Sequence, residues 1–255
     1  YVSVGQGSPV VLIHGLAGNL YFWRRNLEAL GKHFAVYALD LPGHGGSGKP
    51  PEYSLPYGAR LVVRFLDHLS LPRASLVASS LGGLIALGAA HAFSERVERL
   101  VLVDSAGLCQ HIPWLLRLLT VPGLGEVLAH PTRLALRLSL RQMLYRPGEA
   151  SVWQLWGNSH YPWRAEALVR ILRYGADLRG LKPWARWDGR LDQIRPPTLI
   201  VWGAEDRIFA VGHALEAHRM LPGSRLVVMP RCGHLPQWEN PEAFNRVVIE
   251  FLKGE

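Results

Sequence analysis

The sequence predicts an α/β domain whose central, mostly parallel sheet is covered by helices on both faces. Three observations carry this expectation. Short apolar, β-branched runs alternate with longer segments of helical spacing, the pattern of βαβ units. The runs are apolar at nearly every position rather than at every second one, as strands buried on both faces must be. Residues able to do chemistry fall just after the runs, where the carboxyl ends of parallel strands gather their sites. At 255 residues, 49% of them hydrophobic, the chain suffices for one large domain carrying an insertion.

Taken in order, Val10 to His14 reads as a strand, with a helix from about Phe22 to Gly31 behind it. Phe34 to Leu39 is the next strand and about Leu55 to Leu69 the next helix. Ser75 to Ala78, the helix after Ser80, and Leu100 to Asp104 continue the alternation. Between Gly107 and about Arg195 strand signals stop. Helical spacing takes over with Leu115, Leu116, Leu118 and Leu119, then Leu134, Leu136, Leu138 and Leu140. Segment 107–195 therefore reads as a helical cap inserted over the strand ends, leaving 1–106 and 196–255 as the core. Thr198 to Trp202 and Arg225 to Met229 resume the strands, and a helix from Pro241 to Leu252 closes the chain.

Leu76-Val77-Ala78-Ser79-Ser80-Leu81-Gly82-Gly83 is an apolar run ending in a small-x-Ser-x-Gly step. A strand that turns this sharply into a helix has no room for side chains two residues either side of the apex. Around Ser80 those positions are Ala78 and Gly82, which fit; around Ser79 they are Val77 and Leu81, which do not. The register selects Ser80 as candidate nucleophile. The plainer reading is that Ser80 only caps the following helix.

A nucleophilic serine needs a base and a carboxylate to hold it. Asp206 lies four residues past the Thr198–Trp202 run, and His234 sits in the loop Pro230-Arg231-Cys232-Gly233-His234 after the next strand. Serine, acid, histidine is the chain order expected after such a turn. Asp104 also follows a strand and competes for the acid's role. Asp206 is preferred because Ser105-Ala106-Gly107, just after Asp104, reads as an exit into the cap. Asp40 and His44 read as hydrogen-bonding residues of their own turn, and His14 as a residue that orients the loop behind it.

With these pieces in place the chain resembles an α/β-hydrolase of the capped, serine-dependent esterase type. The resemblance rests on His14-Gly15-Leu16-Ala17-Gly18, Asp40-Leu41-Pro42-Gly43-His44-Gly45-Gly46-Ser47, the turn at Ser80, Gly203-Ala204-Glu205-Asp206, and Gly233-His234. One departure is Ala78, where the family usually carries glycine. The resemblance implies an ester hydrolase for short to medium acyl chains. Ser80 would attack, His234 would relay the proton, Asp206 would orient the imidazole, and the backbone N–H groups of Leu16 and Leu81 would hold the oxyanion. Trp153, Trp156 and Leu235 are the candidate substrate-lining residues. The tryptophans have a plainer alternative role in packing cap helices together. Cys232-Gly-His-Leu-Pro-Gln-Trp-Glu239 also resembles the carbon–carbon bond hydrolases of 2-hydroxy-6-oxo-dienoate ring-cleavage products, which stand as the alternative. A non-catalytic ligand-binding receptor on the same fold is the distant one.

Other classes are disfavoured. The net charge of +8 comes from scattered residues, apart from Arg133, Arg137 and Arg141 on one expected helix, and no nucleic-acid recognition motif accompanies them. Arginine outnumbers lysine 24 to 4, which reads as compositional bias. Gly43 to Lys49 imitates both a dinucleotide fingerprint and a phosphate loop. Pro50 and Pro51 follow it where a helix would have to begin, and no Ser or Thr follows Lys49. No zinc-type spacing occurs, so neither a metal nor any other cofactor is expected. Cys109 and Cys232 make no disulfide framework and read as semi-buried thiols, with Cys232 a candidate lining residue. No run is long enough to span a membrane. No signal-peptide pattern appears, which points to the cytoplasm, although a chain opening at Tyr1 is silent on a removed leader. Oligomeric state is not legible.

Overall fold

The computed structural model describes residues 1–130, 132–148 and 164–255. Its seven-stranded sheet is built from β1 (Val2–Val4), β2 (Pro9–Ile13), β3 (Ala35–Leu39), β4 (Ala74–Ser79), β5 (Val97–Val103), β8 (Thr198–Gly203) and β9 (Arg225–Met229). The spatial order is β1-β3-β2-β4-β5-β8-β9. Only β1 runs antiparallel; every other pairing is parallel, with β2 beside β4, β4 beside β5 and β5 beside β8. Because β5 and β8 are parallel neighbours, the segment between them leaves the sheet at its carboxyl edge and returns to the amino edge, where β8 begins.

Continuous apolar strands are explained by two cores, one on each face. Val11, Ile13, Leu76, Ala78, Leu100, Leu102, Ile200 and Trp202 face α2 (Leu55–His68), α3 (Leu81–Ala92) and α8 (Gly212–Met220). Their neighbours Val10, Leu12, Val77, Val101, Val103, Leu199 and Val201 face the other way, onto Trp23, Phe244, Val248 and Phe251. The last three belong to α10 (Pro241–Lys253). Each such side chain withdrawn from water contributes about 1.5–3 kcal/mol. Ser54 caps α2 by accepting from Tyr57 N–H at 3.2 Å, and Asn240 caps α10 by accepting from Ala243 N–H at 3.3 Å.

Two expectations need correction. The helix foreseen from Phe22 to Gly31 is two elements: a 3-10 turn at Leu20–Trp23, capped by Asn19 Oδ1, and α1 at Leu27–Gly31. Between them Asn26 is buried and donates to Gln237 O at 3.0 Å and Asn245 Oδ1 at 2.8 Å. That tertiary anchoring accompanies the break. The segment foreseen as a helical cap without strands contains α4 (Trp114–Leu118), α5 (Leu124–Leu128), α6 (Arg133–Met143) and α7 (Arg164–Gly175). It then forms a ribbon of two-residue strands, β6 (Ala176–Asp177) and β7 (Gly180–Leu181), whose turn is held by Asp177 Oδ1 accepting from Arg179 N–H at 2.7 Å. Short 3-10 turns at Pro183–Ala185 and Leu191–Gln193 lead back to β8. Among the described residues, no helix is long and apolar enough to cross a membrane.

The turn at the end of β4 is packed closely against the end of β2. A Cβ on Gly82 would stand 2.5 Å from Ile13 O and 2.7 Å from His14 O. Gly82→Ala must therefore push β2 away from α3. Overpacking of this kind costs about 1–3 kcal/mol, so a lowered urea midpoint with an unchanged m-value is the expected result.

Candidate active site

Ser80 sits between β4 and α3 at φ 54°, ψ −117°, a left-side backbone conformation that non-glycine residues adopt only under constraint. The constraint is hydrogen bonding: Ser80 N–H donates to Val103 O at 2.9 Å, and Ser80 O accepts from Ala106 N–H at 3.0 Å and Leu84 N–H at 3.3 Å. Its side chain makes no cap bond to α3, so the helix-capping explanation for this serine fails. Gly15 lies directly against it, close enough that a Cβ there would stand 2.9 Å from Ser80 Cβ and 3.5 Å from Oγ. Only a glycine admits the His14–Leu16 backbone this near the serine.

His234 is buried in the loop after β9, and its Nδ1 meets Asp206 Oδ2 at 2.8 Å. The other carboxylate oxygen of Asp206 accepts from Ile208 N–H at 2.7 Å and Phe209 N–H at 3.2 Å. The Phe209 ring stands edge-on to the imidazole with centroids 5.5 Å apart. Asp206 is thus fixed on both oxygens, and of the two competing acids it is the one bonded to the histidine. Asp104 is fully buried beside it. Polar atoms of Asp104, Asp206 and His234 all lie within 4.8 Å of one another, the one grouping among the described residues close enough to share a cation. Any ion there would have to part the His234–Asp206 bond.

Two more histidines brace the loop that passes Ser80. His14 Nε2 accepts from Leu41 N–H at 3.0 Å while its Nδ1–H donates to Gly15 O at 2.8 Å. His44 Nε2 accepts from Ala17 N–H at 3.2 Å while its Nδ1–H donates to Pro42 O at 3.1 Å. Each ring needs one protonated and one bare nitrogen, so both are neutral. Burial agrees, pushing His14 down to about 4 and His44 down to about 3. Asp40 holds the glycine-rich turn together, accepting from Leu20 N–H at 2.7 Å and Gly46 N–H at 2.8 Å. This is the turn that imitates a phosphate loop.

The carboxyl end of α6 is tied to the His234 loop. His234 N–H donates to Met143 O at 2.6 Å, and Glu239 accepts from Tyr145 N–H at 2.6 Å and Gly233 N–H at 2.7 Å. The sequence gives no warning of Glu239's role beyond its place five residues after the histidine. A cavity of about 70 Å³ opens next to the start of α3, lined by Leu41 and His44, by Tyr53 and Tyr57, and by Leu81 and Tyr174 among others.

Two of the expected lining residues, Leu235 and Cys232, pack into apolar clusters. Leu235 packs with Phe22, Leu140, Leu144 and Trp238 under α6, not in the cavity wall. Cys232 is fully buried against the sheet with Phe244 and Met229, free but no lining residue, and burial lifts its thiol to about 12. Trp153 and Trp156 lie outside the described residues. Of the other tryptophans in this stretch, Trp187 is 2% exposed and packed on the core, whereas Trp114 and Trp184 are 68% and 50% exposed. Leu16 packs against Leu119, Leu168 and Leu172 of the intervening segment.

The fold is that of the α/β-hydrolase family, and comparison with known proteins agrees. The family model described as alpha/beta hydrolase fold matches residues 8–241, and the chain belongs to that family. It is 30% identical over 261 residues to a 2-hydroxy-6-oxononadienedioate/2-hydroxy-6-oxononatrienedioate hydrolase of Comamonas testosteroni, covering 98% of this chain and 89% of that one. The structure of a meta-cleavage product hydrolase from Pseudomonas fluorescens superposes with a TM-score of 0.81 at 27% identity, over 99% of this chain and 93% of the other. An enzyme described as degrading N-acyl homoserine lactones, Est816, matches with a TM-score of 0.79 at 27% identity, over 98% and 95%. The chain is a hydrolase of this fold.

The two buried histidines make a pH prediction. Their folded pKa values lie below the ordinary 6.5, so the stability they confer is present above pH 6.5 and lost as pH falls toward about 4. For His14 the loss is on the order of 3 kcal/mol. His14→Gln should therefore destabilise at pH 7.5 and cost much less at pH 4.5, read from urea midpoints at both.

Proposed function

We propose that this protein hydrolyses carboxylic esters of short to medium acyl chain through an acyl-enzyme on Ser80. The observation that carries the reading is the buried His234–Asp206 hydrogen bond at 2.8 Å, on the same sheet edge as a serine held at positive φ. His234 takes the serine proton as Oγ attacks the carbonyl and returns it to the leaving alcohol. Asp206 keeps Nδ1 protonated and stabilises the imidazolium that forms. Leu81 N–H, at the first position of α3, and Leu16 N–H, one residue beyond the glycine that touches Ser80, receive the oxyanion. The α3 dipole adds to the first. Removing one such donor typically costs about 2.7–4 kcal/mol of transition-state stabilisation. The acyl chain lies in the cavity beside Leu81, under segment 107–195 acting as a cap.

The second reading is hydrolysis of a carbon–carbon bond in a ring-cleavage dienoate, favoured by the Comamonas and Pseudomonas relatives. Such a substrate carries a carboxylate, which a Lys or Arg side chain would hold most strongly. Among the described residues the cavity lining contains no Lys or Arg, and Arg164 is close enough for its charge to act on His44. The apolar lining is what favours the neutral acyl group.

A p-nitrophenyl ester series from acetate upward, run beside a 2-hydroxy-6-oxo-dienoate, separates the two readings by which substrate is turned over. In either case Ser80→Ala should abolish turnover and Ser79→Ala should spare it; equal loss in both would overturn the serine assignment. Asp206→Asn should lower kcat by about 10⁴, as loss of the correct tautomer does in other serine hydrolases.

A further inference from the structure

Asp104 is the carboxyl group that the mechanism above does not use. It directly follows β5 at φ 43°, with its N–H donated to Val201 O at 3.1 Å, and its side chain is wholly buried. Its Oδ1 accepts one hydrogen bond, from Gly203 N–H at 3.0 Å. Its Oδ2 is buried with no donor among the described residues. A bare carboxylate oxygen in such a place is expensive, and the adjacent Asp206 makes it more so.

The two carboxyl groups are unequally provided for. Asp206 has three donors: Ile208 N–H, Phe209 N–H and the His234 imidazole. Asp104 has one. Two negative charges this close, away from water, cannot both persist, and one proton resolves the conflict. It belongs on the group with fewer donors, where it also turns the orphaned oxygen into a donor facing the carboxylate next to it.

We propose that Asp104 is a neutral carboxylic acid at working pH, donating a hydrogen bond to Asp206 and so positioning it for His234. The charged groups that act on it point the same way. Asp206 at the end of β8 and Glu239 of α9 (Pro236–Glu239) both disfavour a second negative charge, burial most of all, and only the Gly203 N–H opposes them. Asp104 is thereby a positioning residue: it touches neither substrate nor the reacting atoms, and acts through Asp206. The proton itself is argued from the structure alone; its effect on turnover rests on the serine-hydrolase reading above.

Asp104→Asn tests both parts. The amide keeps an oxygen for Gly203 N–H and supplies an N–H for Asp206, and it removes no charge if the proton is already there. The variant should retain kcat within about threefold, with the acid limb of its pH–rate profile unmoved. Asp104→Leu, which lacks the donor, should lose about tenfold or more in kcat with KM little changed, the usual scale of a hydrogen bond to a charged group. Independently of activity, infrared spectra at pH 7 should show a protonated-carboxyl C=O band in the wild type that is missing from Asp104→Asn. A spectrum without that difference overturns the proposal. So does an acid limb displaced to lower pH in Asp104→Asn, the signature of removing a real negative charge beside the imidazolium. If no ester or dienoate is turned over by the wild type, the infrared comparison still decides the proton while the functional reading falls.

Discussion

Backbone crowding at the carboxyl edge of the sheet is the constraint from which the rest of the site follows. At Gly82 the backbone of α3 runs under the carbonyls of Ile13 and His14, and at Gly15 the loop after β2 presses against Ser80. Neither approach tolerates a side chain. Together they fix a serine at positive φ with the amide of Leu81 on one side and the His14–Leu16 backbone on the other. The parallel pairing of β2, β4 and β5 is what brings those two segments side by side. Fold and site are here one packing problem.

Around that point the molecule keeps ionisable groups dry and assigns each one a charge. His14 and His44 are held neutral by burial and by the acceptor–donor pairs they complete. Asp206 is given the donors that a carboxylate needs, Asp104 is not, and Glu239 joins the His234 loop to the end of α6. The segment between β5 and β8 is therefore bonded to the loop that carries the imidazole.

Much of this is legible in the sequence, for identifiable reasons. The strands are readable because burial on both faces leaves no polar residue between Val10 and Ile13 or between Leu199 and Trp202. Ser80 is distinguished from Ser79 because steric exclusion at Ala78 and Gly82 is a local property. Asp206 and His234, singled out by their distance past strands, meet in a hydrogen bond. What escapes is whatever depends on distant partners. Asn26 sits between two short elements because of contacts with Gln237 and Asn245, more than 200 positions away. Two-residue strands such as Ala176–Asp177 carry no periodicity to detect. Leu235 and Cys232 lie beside the histidine in sequence, but their side chains turn into apolar clusters behind it. Asp104 reads as a rival acid in one dimension; only its placement against Asp206 shows a group without donors.

The central claim is that Ser80 is the nucleophile activated by His234. Reaction with a fluorophosphonate, followed by peptide mass spectrometry, tests it most directly because it needs no knowledge of the substrate. The account predicts one adduct per chain, on Ser80, formed far more slowly in His234→Ala. An adduct on Ser79, or none on the folded protein, would contradict it.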